Sequence, residues 1–245
     1  MRPLVKRQGG KYRSYKQVID AFPTRYEDLN YVEPFVGGGS VFFNKKESKS
    51  EVLNDKDPVL MTVYETVKED PLLMAKKVNG VYTKKDFEEL QGTHPKNLLG
   101  QAVRDIILKK VSYLGFGTSY VELYRKIDKD YVPYSERLKD TTLLCEDYKK
   151  VVKEYDSPQT FFYLDPPYEG IVPNNNTTEY ESDDVSLEEL ADILADIEGY
   201  FLLSLNDSDT TRELFKEFNI KTTKPYARQS RWSDSFVSDL LISNY

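Results

Sequence analysis

The chain of 245 residues has one cysteine, one histidine and one tryptophan, and each scarcity closes a line of chemistry. A lone Cys145 excludes an intramolecular disulfide. The lone His94 sits in a Gly-Thr-His-Pro stretch with no cysteine or histidine beside it, so no metal is expected and zinc sites and histidine-based triads are poor hypotheses. No N-terminal apolar segment points to secretion or membrane insertion, and a soluble intracellular protein is expected, with no membrane partner. Internal repeats and low-complexity tracts are absent too. What remains is a chain long enough to bury a sizeable core as one domain with a subdomain, or as two small domains.

The net charge of −7 and isoelectric point near 5.0 argue mildly against a nucleic-acid partner, but the distribution matters more. Residues 1–16 carry Arg2, Lys6, Arg7, Lys11, Arg13 and Lys16 with no acid, and residues 221–232 carry Lys221, Lys224, Arg228 and Arg231, again with none. Acids crowd residues 179–198 instead. An acidic face and basic segments can therefore coexist.

The most informative stretch is Asp165-Pro166-Pro167-Tyr168, directly after Phe161-Phe162-Tyr163-Leu164. An apolar run ending in Asp-Pro-Pro reads as a buried strand stopped by prolines. It sets a carboxylate, a rigid turn and an aromatic ring at the carboxyl end of a strand, the edge where open α/β sheets bind ligands. Alone, Asp-Pro-Pro is a strand end and a turn.

A second element changes its weight. In Tyr31 to Phe42 a β-type stretch runs into Gly37-Gly38-Gly39 and then into an expected helix start. Glycines at such a turn let the backbone approach a ligand where a Cβ would clash. Phe42 stands where GxGxxG needs its third glycine, which disfavours a nicotinamide-type pyrophosphate site. Further on, Val52-Leu53-Asn54-Asp55 reads as a strand ending in an acid, the usual acceptor for ribose hydroxyls. Together these describe an adenosine pocket without a pyrophosphate clamp. A third element, Lys6-Arg7-Gln8-Gly9-Gly10-Lys11-Tyr12, is either a basic leader or a loop that closes over a ligand.

Helix signals alternate with strands. Ser186 with Glu189, and Thr210 with Glu213, read as capping boxes, each after an apolar strand, Phe161–Leu164 and Tyr200–Leu205. This alternation predicts a doubly wound α/β sheet. Leu98, Leu99, Ala102, Val103, Ile106, Ile107, Val111 and Leu114 form a helical core stripe. After it, Tyr113, Tyr120, Tyr124, Arg125, Lys126, Lys129, Tyr131, Tyr134, Arg137 and Lys139 interleave aromatic and basic groups, a pattern suited to phosphate contacts with base stacking or wedging. Asn174 to Thr178 reads as a loop.

The chain resembles the Dam family of N6-adenine DNA methyltransferases. The resemblance rests on Lys6 to Tyr12 (family form close to K-W-A-G-G-K), Glu33 to Phe42 (E-P-F-x-G-G-G-S-x-F), Asn54-Asp55, Glu146-Asp147-Tyr148 (G-D-F), Asp165 to Tyr168 (D-P-P-Y) and the closing Asp239 to Asn244 (E-V-L-I-x-N). It implies a Rossmann-like, doubly wound mixed sheet of the class I methyltransferase kind, residues 1–56 and 141–245, with a mainly helical target-recognition subdomain inserted at 57–140. It implies methyl transfer from S-adenosyl-L-methionine to adenine N6 in double-stranded DNA, by a monomer or weak dimer of a prokaryotic host, virus or mobile element, in a restriction-modification setting. Asp165, Pro166, Pro167 and Tyr168 are implied as catalytic. Arg7, Lys11, Phe35, Gly37, Gly39, Asp55, Asp147, Tyr148 and Asp165 are implied as cofactor contacts. Arg7 replaces the family's usual aromatic residue and is expected either to stack on the adenine or to pair with a carboxylate. The family's Asn-Pro-Phe-Gly-like hairpin is represented only by Tyr131-Val132-Pro133-Tyr134. The same amino-group chemistry would serve RNA adenine or cytosine N4, and a catalytically silent DNA-binding relative is the other alternative.

Overall fold

The computed structural model of the protein describes residues 1–7, 9–167, 185–229 and 234–245. Its centre is a seven-stranded sheet in the order β3-β2-β1-β4-β5-β7-β6. The strands are β1 Asn30–Glu33, β2 Ser50–Asn54, β3 Thr142–Leu144, β4 Thr160–Leu164, β5 Tyr200–Asn206, β6 Asn219–Thr222 and β7 Asp239–Ser243. The first five run parallel, and β7 lies antiparallel to both β5 and β6. This is the Rossmann-like doubly wound mixed sheet expected from the sequence. Strand order reverses between β1 and β4, so the crevice that such folds offer to ligands opens between Glu33 and Leu164.

A central parallel strand is covered on both faces and reads as a continuous apolar run. β4 does so: all of Thr160–Leu164 is buried. Its alternate side chains serve two cores. Phe161 and Tyr163 join Tyr31, Leu53, Leu202 and Leu241 on one face. Phe162 and Leu164 join Val32, Val52, Leu203 and Leu240 on the other, under helices α7 Tyr148–Tyr155 and α8 Leu187–Ala195.

Between β2 and β3 the chain is mostly helical: α2 Pro58–Glu69, α3 Pro71–Val78, α4 Lys84–Gly92, α5 Leu98–Lys110 and α6 Val132–Leu138. Asp57 and Asp70 cap α2 and α3 in front of a proline at the first turn, and Thr83 with Asp86 makes a full capping box for α4. α2 packs Leu60, Met61, Val63, Tyr64 and Val67 into the same apolar cluster as Tyr31 and Phe161, so helices and sheet share one core here.

Four local expectations are corrected. No helix follows the glycine turn. Phe43 and Lys45 donate to the carbonyls of Gly39 and Val41, one turn that stops where the Asn44 side chain binds the carbonyls of Ser40 and Met1. The cap of α9 Asp209–Leu214 is Ser208, not Thr210, because the extended Ser208 turns its hydroxyl to the Thr211 amide. At α8 the Ser186 hydroxyl accepts from the Glu189 amide, but Glu189 reaches instead to Lys149, so only half the box forms. Much of the aromatic and basic stretch faces inward: Tyr131 and Tyr134 are core, Tyr131-Val132-Pro133-Tyr134 opens α6, and Arg137 pairs with Glu51. Tyr113, Tyr124 and Arg125 do remain exposed. The loop expected at Asn174 to Thr178 lies outside the described residues.

Glu51 ties the turn after the glycines to α6. It is ion-paired with both Lys45 and Arg137, and Arg137 Nη2 lies 2.8 Å from its Oε1. Burial works to raise its carboxyl, but the two cations hold it below the usual range. Removing one partner of such a cluster leaves uncompensated buried charge. Glu51→Ala is therefore expected to lower unfolding free energy by about 3 kcal/mol in urea titrations. A loss below about 1 kcal/mol, the scale of a surface pair, would contradict the buried-cluster assignment.

Candidate active site

The tips of β1, β2 and β3 are stitched by one side chain. Asn54, buried at the end of β2, donates from Nδ2 to the carbonyls of Pro34 and Glu146 at 3.0 Å each. Its Oδ1 accepts from the Glu146 amide at 2.9 Å. The Val36 amide adds a bond to the Asn54 carbonyl, 2.9 Å. This clip fixes the relative positions of three strand ends, and with them Phe35, Asp55 and Asp147.

The glycine turn wraps over that clip. Gly38 allows close passage of the N-terminal segment, since a Cβ there would lie 2.4 Å from the Val5 carbonyl oxygen. Gly39 has φ +70°, and its missing Cβ leaves room taken by Phe43 and the Tyr64 hydroxyl. At Gly37 the amide donates to Asp55 Oδ2 at 3.0 Å, and the Cβ position faces open space. Asp55 Oδ1 accepts from the Asp57 amide at 3.1 Å. Its carboxylate is thus oriented by backbone on two sides.

At the tip of β3, Asp147 caps α7 by accepting from the Lys149 amide at 2.9 Å. Tyr148 follows, its ring centroid 5.0 Å from that of Phe35. Burial, then Glu189 and Asp147, pushes the Tyr148 phenol up to about 12, so the ring stays neutral. Arg7 resolves its two expectations in favour of a carboxylate: it pairs with Asp57, whose other oxygen caps α2.

Asp165 leaves the end of β4 with Pro166 buried behind it. Lys11, only 2% exposed, places its ammonium 2.5 Å from Asp165 Oδ1 and 3.7 Å from Asp239 Oδ2. Tyr168 lies outside the described residues. The structure thus gathers Lys11 with Asp165, Gly37 with Asp55, and Phe35 with Tyr148, and sets Arg7 against Asp57. No group of three histidine, cysteine or acidic side chains that could hold a metal occurs among the described residues. Among the same residues no helix is long and apolar enough to cross a membrane.

Three site residues escaped the sequence reading. Asp57 was not singled out at all, and Asp239 appeared only as the first letter of a closing strand. Glu33 was named as a motif letter, without a role. It is 2% exposed and accepts from the Tyr31 hydroxyl at 2.7 Å.

The family model for D12 class N6 adenine-specific DNA methyltransferases matches residues 8–99 and 116–226. The chain is 29% identical to the Type II methyltransferase M.MjaIII of Methanocaldococcus jannaschii, over all of this chain and 99% of that one. It is 26% identical to the DNA adenine methylase of Haemophilus influenzae, over 91% of this chain and 86% of the relative. With the Type II methyltransferase M.CviBI of Paramecium bursaria Chlorella virus NC1A it shares 24% identity, over the full length of both.

Glu33 yields a test of the buried site floor. Burial, opposed by Tyr31 and Lys45 and reinforced by Asp165, raises its carboxyl to about 8. An unfolded glutamate titrates at about 4.3. Between that value and about 8 the folded state keeps a proton that the unfolded state has lost, so this group's contribution to stability falls as pH rises. Glu33→Gln is expected to flatten that slope and to gain stability relative to the parent at pH 8 compared with pH 5, read by urea denaturation at both values. An identical stability difference at the two pH values would contradict a neutral Glu33.

Proposed function

The chain belongs to the D12 class N6 adenine-specific DNA methyltransferases, and from that premise we propose how its own residues bind the substrates and promote the reaction. The donor is S-adenosyl-L-methionine, held along the strand tips from β1 to β3. The residues present fit an adenosine: an oriented carboxylate at Asp55, open space at Gly37, and the paired rings of Phe35 and Tyr148. Asp55 accepts the ribose hydroxyls, Phe35 and Tyr148 flank the base, and Asp147 or its backbone reads the adenine amino group. Gly39 shapes the turn through Phe43 and Tyr64. Lys11 and Asp165 lie at the methionine end, and Arg7 acts through Asp57 to hold the start of α2 against the pocket. When bound, S-adenosylmethionine supplies a methyl on a positively charged sulfur.

The observation that carries the reading is Asp165-Pro166-Pro167 at the carboxyl end of β4, across the switch point from Glu33-Pro34-Phe35. The N6 lone pair of adenine is delocalised into the ring and nucleophilic only when its hydrogens are held out of conjugation. The Asp165 carboxylate and the Pro166 carbonyl can accept both N–H bonds, and the two prolines fix their spacing. Positioned acceptors of this kind favour the state in which positive charge builds on nitrogen. A base within a duplex cannot reach them, so the target adenine is extruded, at a cost of a few kcal/mol. Tyr168 is proposed to stack on the extruded base.

Cations answer for the DNA backbone despite the net charge of −7. Lys6 is lowered by burial and by Arg2, and Lys110 by burial, Lys6 and Arg2. Lys129 is lowered to about 7 by burial, Lys110 and Arg2. Lys6, Lys110 and Arg2 repel one another and are proposed to meet the DNA backbone, whereas the Lys129 ammonium is taken up by the Pro3 and Leu4 carbonyls at 3.0 and 2.8 Å. The segment 57–140 is proposed to read the target sequence, with exposed Tyr113, Leu123 and Tyr124 available for base contacts. A monomer or weak dimer suffices for this arrangement.

Two substitutions separate the roles. Asp165→Ala is expected to lower single-turnover methyl transfer by at least about a thousandfold, on the scale of losing a preorganised polar group, with unchanged circular dichroism. Transfer within about tenfold of the parent would overturn the site. Asp55→Ala is expected to weaken cofactor binding by about tenfold in calorimetry, on the scale of a lost hydrogen bond to a charged group. Unchanged affinity would remove Asp55 from the ribose.

A further inference from the structure

Lys11 is buried between two carboxylates, and the reaction just described uses only one of them. Its ammonium is 2.5 Å from Asp165 and 3.7 Å from Asp239, and Asp239 is 1% exposed at the start of β7. A buried ion on the reactive carboxylate is a difficulty for the chemistry. It occupies an oxygen that the N6 hydrogens need, and its charge opposes the positive charge that grows on N6. A lone Lys11–Asp165 pair would be neutral and self-satisfied. The third member changes the balance: a second buried carboxylate stands 3.7 Å from the same ammonium, so Lys11 has an alternative anion besides the reacting carboxylate.

We propose that Asp239 is a positioning residue for methyl transfer, holding Lys11 in a bridging place so that Asp165 stays available to the adenine amino group. The proposal rests on the assignment of Asp165 to that group. Asp239 is itself held firmly. Its amide donates to Thr223 Oγ1 at 2.9 Å, and the Thr223 amide donates back to the Asp239 carbonyl at 2.9 Å. The Tyr226 hydroxyl donates to Asp239 Oδ2 at 2.6 Å, on the oxygen nearest Lys11. Tyr226 opens the hairpin strand Tyr226–Gln229, which pairs with Asp234–Val237. The adjoining residue Lys224 is tied to α1 Tyr15–Ile19: its amide donates to Gln17 Oε1 at 2.7 Å, and Gln17 Nε2 donates to its carbonyl at 3.3 Å. The segment carrying Lys11 and the segment carrying Asp239 are thereby fixed to each other. When N6 donates to Asp165, Lys11 shifts its weight to Asp239 without leaving the site, and no unpaired buried charge is created.

The test is a double-mutant cycle on single-turnover transfer of labelled methyl to DNA, with Asp239→Asn, Lys11→Met and the pair, in the full-length protein. Asp239→Asn is expected to slow transfer by about tenfold or more, within the coupling range of residues in one ion-pair network, with the KM for DNA changed less than about twofold. In the Lys11→Met background the same substitution is expected to change the rate by less than about twofold. Equal losses in both backgrounds would show that Asp239 acts independently of Lys11 and would overturn the proposal, as would no loss in the parent. Tyr226→Phe, which keeps ring and fold, runs through the same cycle, with a loss of about threefold expected in the parent only. If Asp239→Asn fails to fold, that second cycle decides alone, and equal losses overturn the proposal. Transfer retained by Asp165→Ala would instead remove the site assignment, whatever the cycle shows.

Discussion

The proposed reaction needs a carboxylate and a carbonyl together at the end of one strand, facing a crevice, and the packing around β4 is what supplies that placement. β4 is the central parallel strand, buried on both faces, so its carboxyl end is backed by close packing on both sides. The prolines after Asp165 remove the donors and the torsional freedom that would let the turn rearrange. β1 runs beside β4 and carries Glu33-Pro34-Phe35 to the opposite lip. The strand-order reversal keeps that lip uncovered by a crossover helix.

Around the fixed edge, charge is arranged in two buried layers. Below the crevice, Glu33 sits neutral beneath the turn, while Lys45, Glu51 and Arg137 pair among themselves and join the turn after the glycines to α6. At the crevice, Lys11 bridges Asp165 and Asp239. The first layer ties the turn after the glycines to α6, and the second lies at the crevice where the reaction is proposed. The Asn54 clip is the neutral counterpart of both, holding three strand tips with hydrogen bonds where an ion would compete with the ligand.

Legibility in the sequence followed the range of the interactions. The sheet could be read because β4 and β5 are short apolar runs, the first ended by Asp-Pro-Pro, and each is followed by helix-capping signals within about twenty-five residues. The strand-end pieces Gly37 to Gly39 and Asn54-Asp55 were legible for the same reason, each following an apolar stretch, whereas Asp147-Tyr148 was legible only through the family resemblance. Partners far apart in the chain were not legible. Nothing near Arg7 announces Asp57, nothing near Lys11 announces Asp239, and Glu51 gives no local sign of Arg137. The stretch from Tyr113 to Lys139 misled by composition, because alternating tyrosines and cations look alike whether they face DNA or, as with Tyr131, Tyr134 and Arg137, close a core. The missing helix after the glycines has a similar cause: Val41-Phe42-Phe43 is apolar enough for a helix face, but all three side chains are claimed by the core within one turn.

The most direct measurement is incubation of the protein with labelled S-adenosylmethionine and unmethylated genomic DNA, with RNA in parallel, followed by nucleoside mass spectrometry. Membership of the D12 class of N6 adenine-specific DNA methyltransferases, with the Asp165 and Pro166 acceptors proposed for the amino group, predicts N6-methyladenine in DNA and no methylated nucleoside in RNA. N4-methylcytosine, or product in RNA alone, would contradict the account at its centre.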